Sequence, residues 1–168
     1  MGSWEIVYLG LGSNLGNRIK KLIQAKCLLE KDPKVQVGEV SSIYETSPIG
    51  PKQNDFLNCV FKIKTLYSPL ELLRVVKGIE NNMKRKKTFR DGPRVIDIDI
   101  LFYGKKVVRT EELTIPHPRF AERKFVLEPL AEIAANLRPP RSSKTIRQFQ
   151  SQLTSPDQRV KLYGKLGN

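Results

Sequence analysis

Histidine and cysteine are nearly absent from this chain. Its 168 residues hold one histidine, His117, and two cysteines, Cys27 and Cys59. The separation of those two cysteines matches neither a zinc ligand set nor a redox pair. Each lies in an apolar pattern and reads as a buried free thiol, which suits a reducing compartment. No apolar run is long enough to span a bilayer. The apolar stretch Ile6 to Leu11 is too short for the core of a secretory leader. Met1-Gly2 opens a myristoylation pattern that fails at Ile6, where Ser or Thr is needed. The expected location is therefore cytoplasmic, away from membranes.

Acidic residues are also scarce. Thirty Lys and Arg face 17 Asp and Glu, for a net charge of +13. Such an imbalance points to anionic partners: nucleic acid, anionic membrane or phosphorylated small molecules. The length fits one domain with a real core, so residues 1–168 read as a single unit. A hydrophobic content of 39% beside 28% charged residues is that of an ordinary soluble globular protein.

The patterning gives the order of elements. Trp4 to Leu11 reads as a strand, followed by a glycine-rich turn from Gly10 to Gly16. A helix runs from about Asn17 to Lys31, ended by Asp32-Pro33. Val35 to Tyr44 and Phe56 to Leu66 read as two further strands. Ser68-Pro69-Leu70-Glu71 is a helix start with a capping box and proline at the first helical position. Leu72, Val76, Ile79 and Met83 then form one buried stripe. A strand follows, then a tight turn at Tyr103 to Lys106 leading into an edge strand at Val107-Val108. Helical stretches are expected from about Ala121 to Asn136, broken near Pro129, and from Thr145 to Leu153. The order strand, helix, strand, strand, helix, strand predicts an α/β (α+β sandwich) fold. Its core would be a ferredoxin-like βαββαβ unit with a mainly antiparallel sheet, an added edge hairpin and C-terminal helices.

The most telling segment is Gly92 to Phe102. Ile96, Ile98, Ile100 and Phe102 alternate with Asp97 and Asp99, the period of a half-buried strand. The two Asp Cα atoms would lie roughly 6.6 Å apart and point the same way. At an effective dielectric near 20 such carboxylates repel by about 2.5 kcal/mol. A compensating cation resolves that cost, and Mg²⁺ commonly binds one or two carboxylates together with substrate phosphates. The basic run Lys84-Arg85-Lys86-Lys87, then Arg90 and Arg94, leads directly into this strand. Cations beside a metal-holding acidic pair are what a polyphosphate requires. His117 is held rigidly between Pro116 and Pro118, which suits a phosphate contact or a proton-transfer role. The connections Glu45 to Asp55 and Lys84 to Pro93 are longer than the elements they join require, as lids and binding loops often are. The glycine-rich turn has neither the dinucleotide spacing nor the Lys-Ser/Thr of a phosphate loop.

These motifs together resemble the 6-hydroxymethyl-7,8-dihydropterin pyrophosphokinases of folate biosynthesis. The likeness runs from Tyr8–Gly16 and Ser42–Gly50 through Asp55–Asn58, Gly92–Leu101 and Ile115–Arg119 to Glu122–Leu130. The resemblance implies a monomeric enzyme that moves the terminal pyrophosphate of ATP to the hydroxymethyl group of the dihydropterin, leaving AMP. It implies that Asp97 and Asp99 hold two Mg²⁺ ions, and that Arg94, Arg123 and His117 contact phosphate and serve catalysis. It implies a pterin site made by Phe56 and Phe125 as stacking walls, with Thr46, Ile49, Asn58 and Asp97. Leu113 and Thr114 correspond to positions near the adenosine, and Arg85, Lys87 and Arg90 to cations of a mobile lid over ATP. Asp91 stands where some members carry an aromatic residue that covers the pterin, and Glu112 where some carry an arginine that contacts the nucleotide. The tail after about residue 140 adds little to the likeness.

A nucleic-acid-binding module of the same topology is the rival reading. RNA-recognition modules stack bases on aromatics of a Gly-Phe-containing strand. The strand Leu57-Asn58-Cys59-Val60-Phe61-Lys62-Ile63 lacks that motif. Small-molecule substrates, not nucleic acid, are the expected partners.

Overall fold

The structure, a computed structural model, describes residues 2–167. Its strands are β1 (Glu5–Ser13), β2 (Val35–Val40), β3 (Ile43–Thr46), β4 (Phe56–Thr65), β5 (Asp97–Tyr103), β6 (Val108–Arg109), β7 (Thr114–Ile115) and β8 (Val160–Gly164). Its α-helices are α1 (Arg18–Glu30), α2 (Pro69–Asn82), α3 (Lys124–Ala134) and α4 (Ile146–Gln152). The main sheet runs β5-β1-β4-β3-β8, with β2 also paired to β4, and every pairing is antiparallel. Taking β2 and β3 as one interrupted strand gives the strand order of the expected ferredoxin-like core.

The interruption is chemical. The Val35 to Tyr44 segment, expected as one strand, breaks at Ser41-Ser42. Ser41 donates its N–H to the Val60 carbonyl at 2.9 Å, while its hydroxyl accepts from Val60 N at 2.8 Å. A side chain thus takes part in the ladder, and the register shifts between Val37 and Val40. Conversely, β1 runs on to Ser13 through Gly10 and Gly12, which belong to the strand rather than to a turn.

One face of the sheet packs on α1 and α2. Val7, Leu9, Leu11, Leu57, Phe61, Ile63, Ile96, Ile98 and Ile100 meet Leu22, Ala25 and Leu29 of α1 and the expected stripe of α2. The capping box at Ser68 and Glu71 is formed, with Pro69 opening the helix. The other face is covered only in part. Tyr8, Val60, Leu101 and Phe102 pack on Val126, Leu127 and Leu130 of α3 and on Ile146. Leu101 is an extra residue in β5, since Tyr8 pairs with Phe102 and Leu9 with Ile100. That bulge turns Phe102 away from the face of Ile96, Ile98 and Ile100, against the simple alternation.

Other expectations change. The helix expected across Ala121 to Asn136 is interrupted at Arg123, which is extended, and not at Pro129. A 3₁₀ turn at Phe120–Glu122 precedes Arg123, and α3 then continues through Pro129. The hairpin after Tyr103 pairs β6 with β7 as a separate two-stranded ribbon. The added strand of the main sheet is instead β8, in the tail that carries little of the resemblance. Cys59 is buried, and burial pushes its thiol up to about 12, but Cys27 is exposed on α1 rather than buried. No helix among the described residues is long and apolar enough to cross a membrane.

Candidate active site

The uncovered part of the second sheet face is the candidate site. Cross-strand register builds it row by row. Asp97 on β5 lies opposite Gly12 on β1, which lies opposite Asn58 on β4. Asp99 lies opposite Gly10, and Gly10 opposite Val60. The two strand glycines therefore form a floor without side chains between the acidic pair and β4. A Cβ on Gly12 would collide with the Asn58 amide oxygen. Asn58 donates to the Thr46 hydroxyl at 2.7 Å, which fixes the direction of its amide.

A recess over this floor is lined by Gly12, Thr46, Ile49, Phe56, Asn58, Arg94, Asp97, Arg123 and Phe125, and closed along one rim by Ser47, Asp91 and Gly92. Every residue expected at a pterin site therefore lies in one place. A smaller hollow next to it contains Gly10, Asp97, Asp99, Leu101 and Phe125. The two aspartates thus stand between an aromatic-walled recess and the outer edge of the sheet.

The electrostatics suit a cation at the acidic pair. Burial and the neighbouring Asp97 push the Asp99 carboxyl well above the ordinary carboxylate range, against the opposing pull of Arg123, Lys77 and Arg94. Asp97 is held by two guanidinium groups: Arg94 Nη1 at 2.9 Å and Arg85 Nη2 at 3.4 Å. No cluster of three or more His, Cys, Asp or Glu suited to a metal exists among the described residues. An oxygen-only pair with open positions fits Mg²⁺ completed by substrate oxygens, and does not fit a closed protein cage.

His117 follows the cis Ile115–Pro116 bond, and its N–H is tied to the Leu101 carbonyl at 2.9 Å. Arg119 N donates to His117 Nδ1 at 3.1 Å, so Nε2 carries the proton of the neutral ring. Nε2 lies 4.0 Å from Asp99 Oδ2. Burial and the charge of Arg123 lower the imidazole pKa to about 4, so His117 offers an N–H rather than a charge. Arg123 sits over the Phe125 ring, 5.4 Å from its centroid. Of the remaining expected residues, Lys87 and Arg90 are exposed on the connection before Pro93, Leu113 is buried in the β6–β7 connection, and Thr114 is exposed on β7. None of the four lines the recess.

Two positioning groups escaped the sequence reading. Glu80 is buried, accepts from Ile98 N at 2.8 Å between the two aspartates, and also meets Arg85 at 3.4 Å and Lys77 at 3.3 Å. Its signal was a carboxylate four residues after Val76 on a buried helical face. Asn14 clamps Arg94 through both backbone groups and donates to Gln53 at 2.9 Å. Short motifs around Asn14 gave its place but not its partners.

An acidic pair ringed by guanidinium groups, beside a slot for a flat ring on a ferredoxin-like sheet, defines a class: enzymes of phosphoryl transfer. Comparison narrows the class. The family model for 7,8-dihydro-6-hydroxymethylpterin-pyrophosphokinase (HPPK) matches residues 8–135, and the chain belongs to that family. It is 49% identical over 130 residues to the 2-amino-4-hydroxy-6-hydroxymethyldihydropteridine pyrophosphokinase of Bacillus subtilis, covering 77% of this chain and 78% of that one. The Aquifex aeolicus protein of the same name is 42% identical over 149 residues, 88% of this chain and 92% of that one. The folic acid synthesis protein FOL1 of Dictyostelium discoideum is 46% identical over 137 residues, but the match spans 81% of this chain and only 20% of that protein. The fold matches a Plasmodium falciparum HPPK-DHPS crystal structure with a TM-score of 0.72 at 17% identity, over 90% of this chain and 44% of that one.

Proposed function

We infer that this chain transfers the terminal pyrophosphate of ATP to the hydroxymethyl group of 6-hydroxymethyl-7,8-dihydropterin, giving AMP and the pterin diphosphate. The observation that carries the reading is the meeting of the Asp97–Asp99 pair with the Phe56–Phe125 recess on one glycine floor. The pterin lies between Phe56 and Phe125, with Asn58 and Thr46 reading its polar edge and Ile49 and Asp97 completing the slot. The triphosphate lies over the acidic pair, approached by Arg94, Arg123 and the His117 N–H.

Asp97 and Asp99 would hold two Mg²⁺ ions, which would neutralise phosphate oxygens and make the hydroxymethyl group more acidic. The residues do the rest by position and charge. Arg94 and Arg85 neutralise Asp97 in the free protein. Arg94, 2.9 Å from Asp97 in the free protein, is placed to turn toward phosphate, so that its countercharge would pass from protein to substrate. Arg123, partly buried just before α3, strengthens its hold as charge grows on the transferring group. His117 donates from Nε2 without adding charge. No side chain serves as a covalent nucleophile. Leu113 and Thr114 border the adenosine, while Arg85, Lys87 and Arg90 close over the phosphates. We take residues 1–168 as one domain that acts as a cytoplasmic monomer without nucleic acid.

The test is incubation of the purified protein with ATP, Mg²⁺ and the dihydropterin alcohol. The reading predicts AMP formation that needs all three. ATP hydrolysis that ignores the alcohol would contradict it, as would tight, salt-sensitive RNA binding without ATP consumption.

A further inference from the structure

Arg123 is held by a part of the chain that lies outside the family match, which ends at residue 135. It stands between the 3₁₀ turn Phe120–Glu122 and α3, with φ −117° and ψ 108°. Its backbone is therefore extended where the residues on either side are helical. It occupies the N-cap position of α3, but a guanidinium has no acceptor, and no side-chain capping bond is made there. The peptide groups around Arg123 need partners from elsewhere.

Gln158 supplies them. Its Oε1 accepts from Lys124 N at 2.9 Å, and its Nε2 donates to the Glu122 carbonyl at 2.8 Å. These two groups belong to the peptide units directly before and after the Arg123 Cα. One side-chain amide thus fixes both peptide planes, and with them the direction in which the Arg123 side chain leaves the backbone. Without these bonds Arg123 could relax toward the helical values of its neighbours and swing its guanidinium out of the recess, which it lines beside Phe125.

Gln158 is itself seated on both sides. Its N–H closes a turn on the Ser155 carbonyl at 3.1 Å across Pro156-Asp157, residues that favour such turns. Next to it, Ser47 N donates to the Arg159 carbonyl at 2.9 Å, and Arg159 N donates to the Ser47 hydroxyl at 2.9 Å. The Arg159 guanidinium reaches Asp55, the neighbour of Phe56. The tail therefore joins the segment around Arg123 to the connection that lines the opposite side of the recess.

We propose that Gln158 is a positioning residue, which sets the backbone of Arg123 so that its guanidinium faces the triphosphate. This rests on the proposed function, in which Arg123 contacts phosphate.

The experiment is a double-mutant cycle on the full chain, read by calorimetry of a non-hydrolysable ATP analogue with Mg²⁺. Gln158→Met keeps the length of the side chain and removes both bonds. It should weaken binding of the analogue about tenfold. Gln158 is only half-buried, so the melting temperature should fall by no more than about 4 °C. In the Arg123→Ala background the same change should weaken binding less than about twofold. Gln158→Asn, too short to span both peptide groups, should repeat the pattern. Equal losses in both backgrounds would show that Gln158 does not act through Arg123 and would overturn the assignment. Wild-type affinity in Gln158→Met, or unfolding of both Gln158 variants, would overturn it too. Failure of the wild type to bind the analogue, or wild-type affinity in Arg123→Ala, would overturn the proposed phosphate site together with this assignment.

Discussion

Asp99 has two opposed consequences at the scale of single residues. Its carboxyl is pushed upward by burial and by Asp97. A carboxyl whose folded pKa lies above its unfolded value stabilises nothing below both values and costs stability as pH rises through that interval. The metal-free protein should therefore gain thermal stability from Asp99→Asn at neutral pH, while AMP formation falls by roughly 100-fold or more. A thermal melt without metal checks the first half and a turnover assay with Mg²⁺ the second. A variant less stable than wild type and still active would refute the assignment. His117 shows the opposite sign. Its folded pKa is lowered to about 4, so the stability it contributes is present above the ordinary histidine range and is lost as pH falls toward 4. As the only histidine, it gives a single C2–H resonance by NMR. That resonance should stay fixed from neutral pH down to about pH 5 and move only below.

At the scale of elements, the parts with a strong period or a strong cap were legible in the sequence. The α2 stripe and its capping box, the Asp97–Asp99 strand and the split order of the core needed only local pattern. What was not legible depended on partners far along the chain. The break at Ser41 requires knowing that its hydroxyl meets Val60, and the bulge at Leu101 requires the register against Tyr8 and Leu9. Pro129 removes one intrahelical bond, yet packing of Val126, Leu127 and Leu130 keeps α3 whole, while Arg123 breaks the helical run before it. The site was read mainly through family likeness. Its glycine floor and Glu80 became visible only from the pairing of strands. β8 was missed because Val160 to Gly164 is short, exposed and bordered by cations. It nevertheless pairs with β3, and Thr46 on β3 lies opposite Val160. Removing the chain after Leu153 should lower the melting temperature by roughly 5 °C or more and raise the KM for the pterin through Thr46. Unchanged melting and KM would show that β8 does not support the site.

At the scale of the whole molecule, the charge of +13 is uneven in its use. Arg85, Arg94 and Arg123 converge on the acidic pair, and Lys86, Lys87 and Arg90 are exposed on the connection that leads to it. Such an arrangement focuses a positive field where an anionic nucleotide must arrive. The kcat/KM for ATP should therefore fall as ionic strength rises, more steeply than kcat, since screening acts on capture. A flat salt dependence would reduce the exposed charge to a matter of solubility. The sheet joins the two halves of the site, placing the carboxylates on β5 one strand away from Asn58 on β4 with only Gly12 between. That closeness is the central claim, because on the proposed reading it lets a pterin alcohol reach the β-phosphorus of ATP. Phosphorus NMR of the complete reaction tests it most directly. The account predicts AMP and a pterin diphosphate appearing in equal amounts without ADP, whereas ADP with a pterin monophosphate would place the attack on the terminal phosphorus and contradict it.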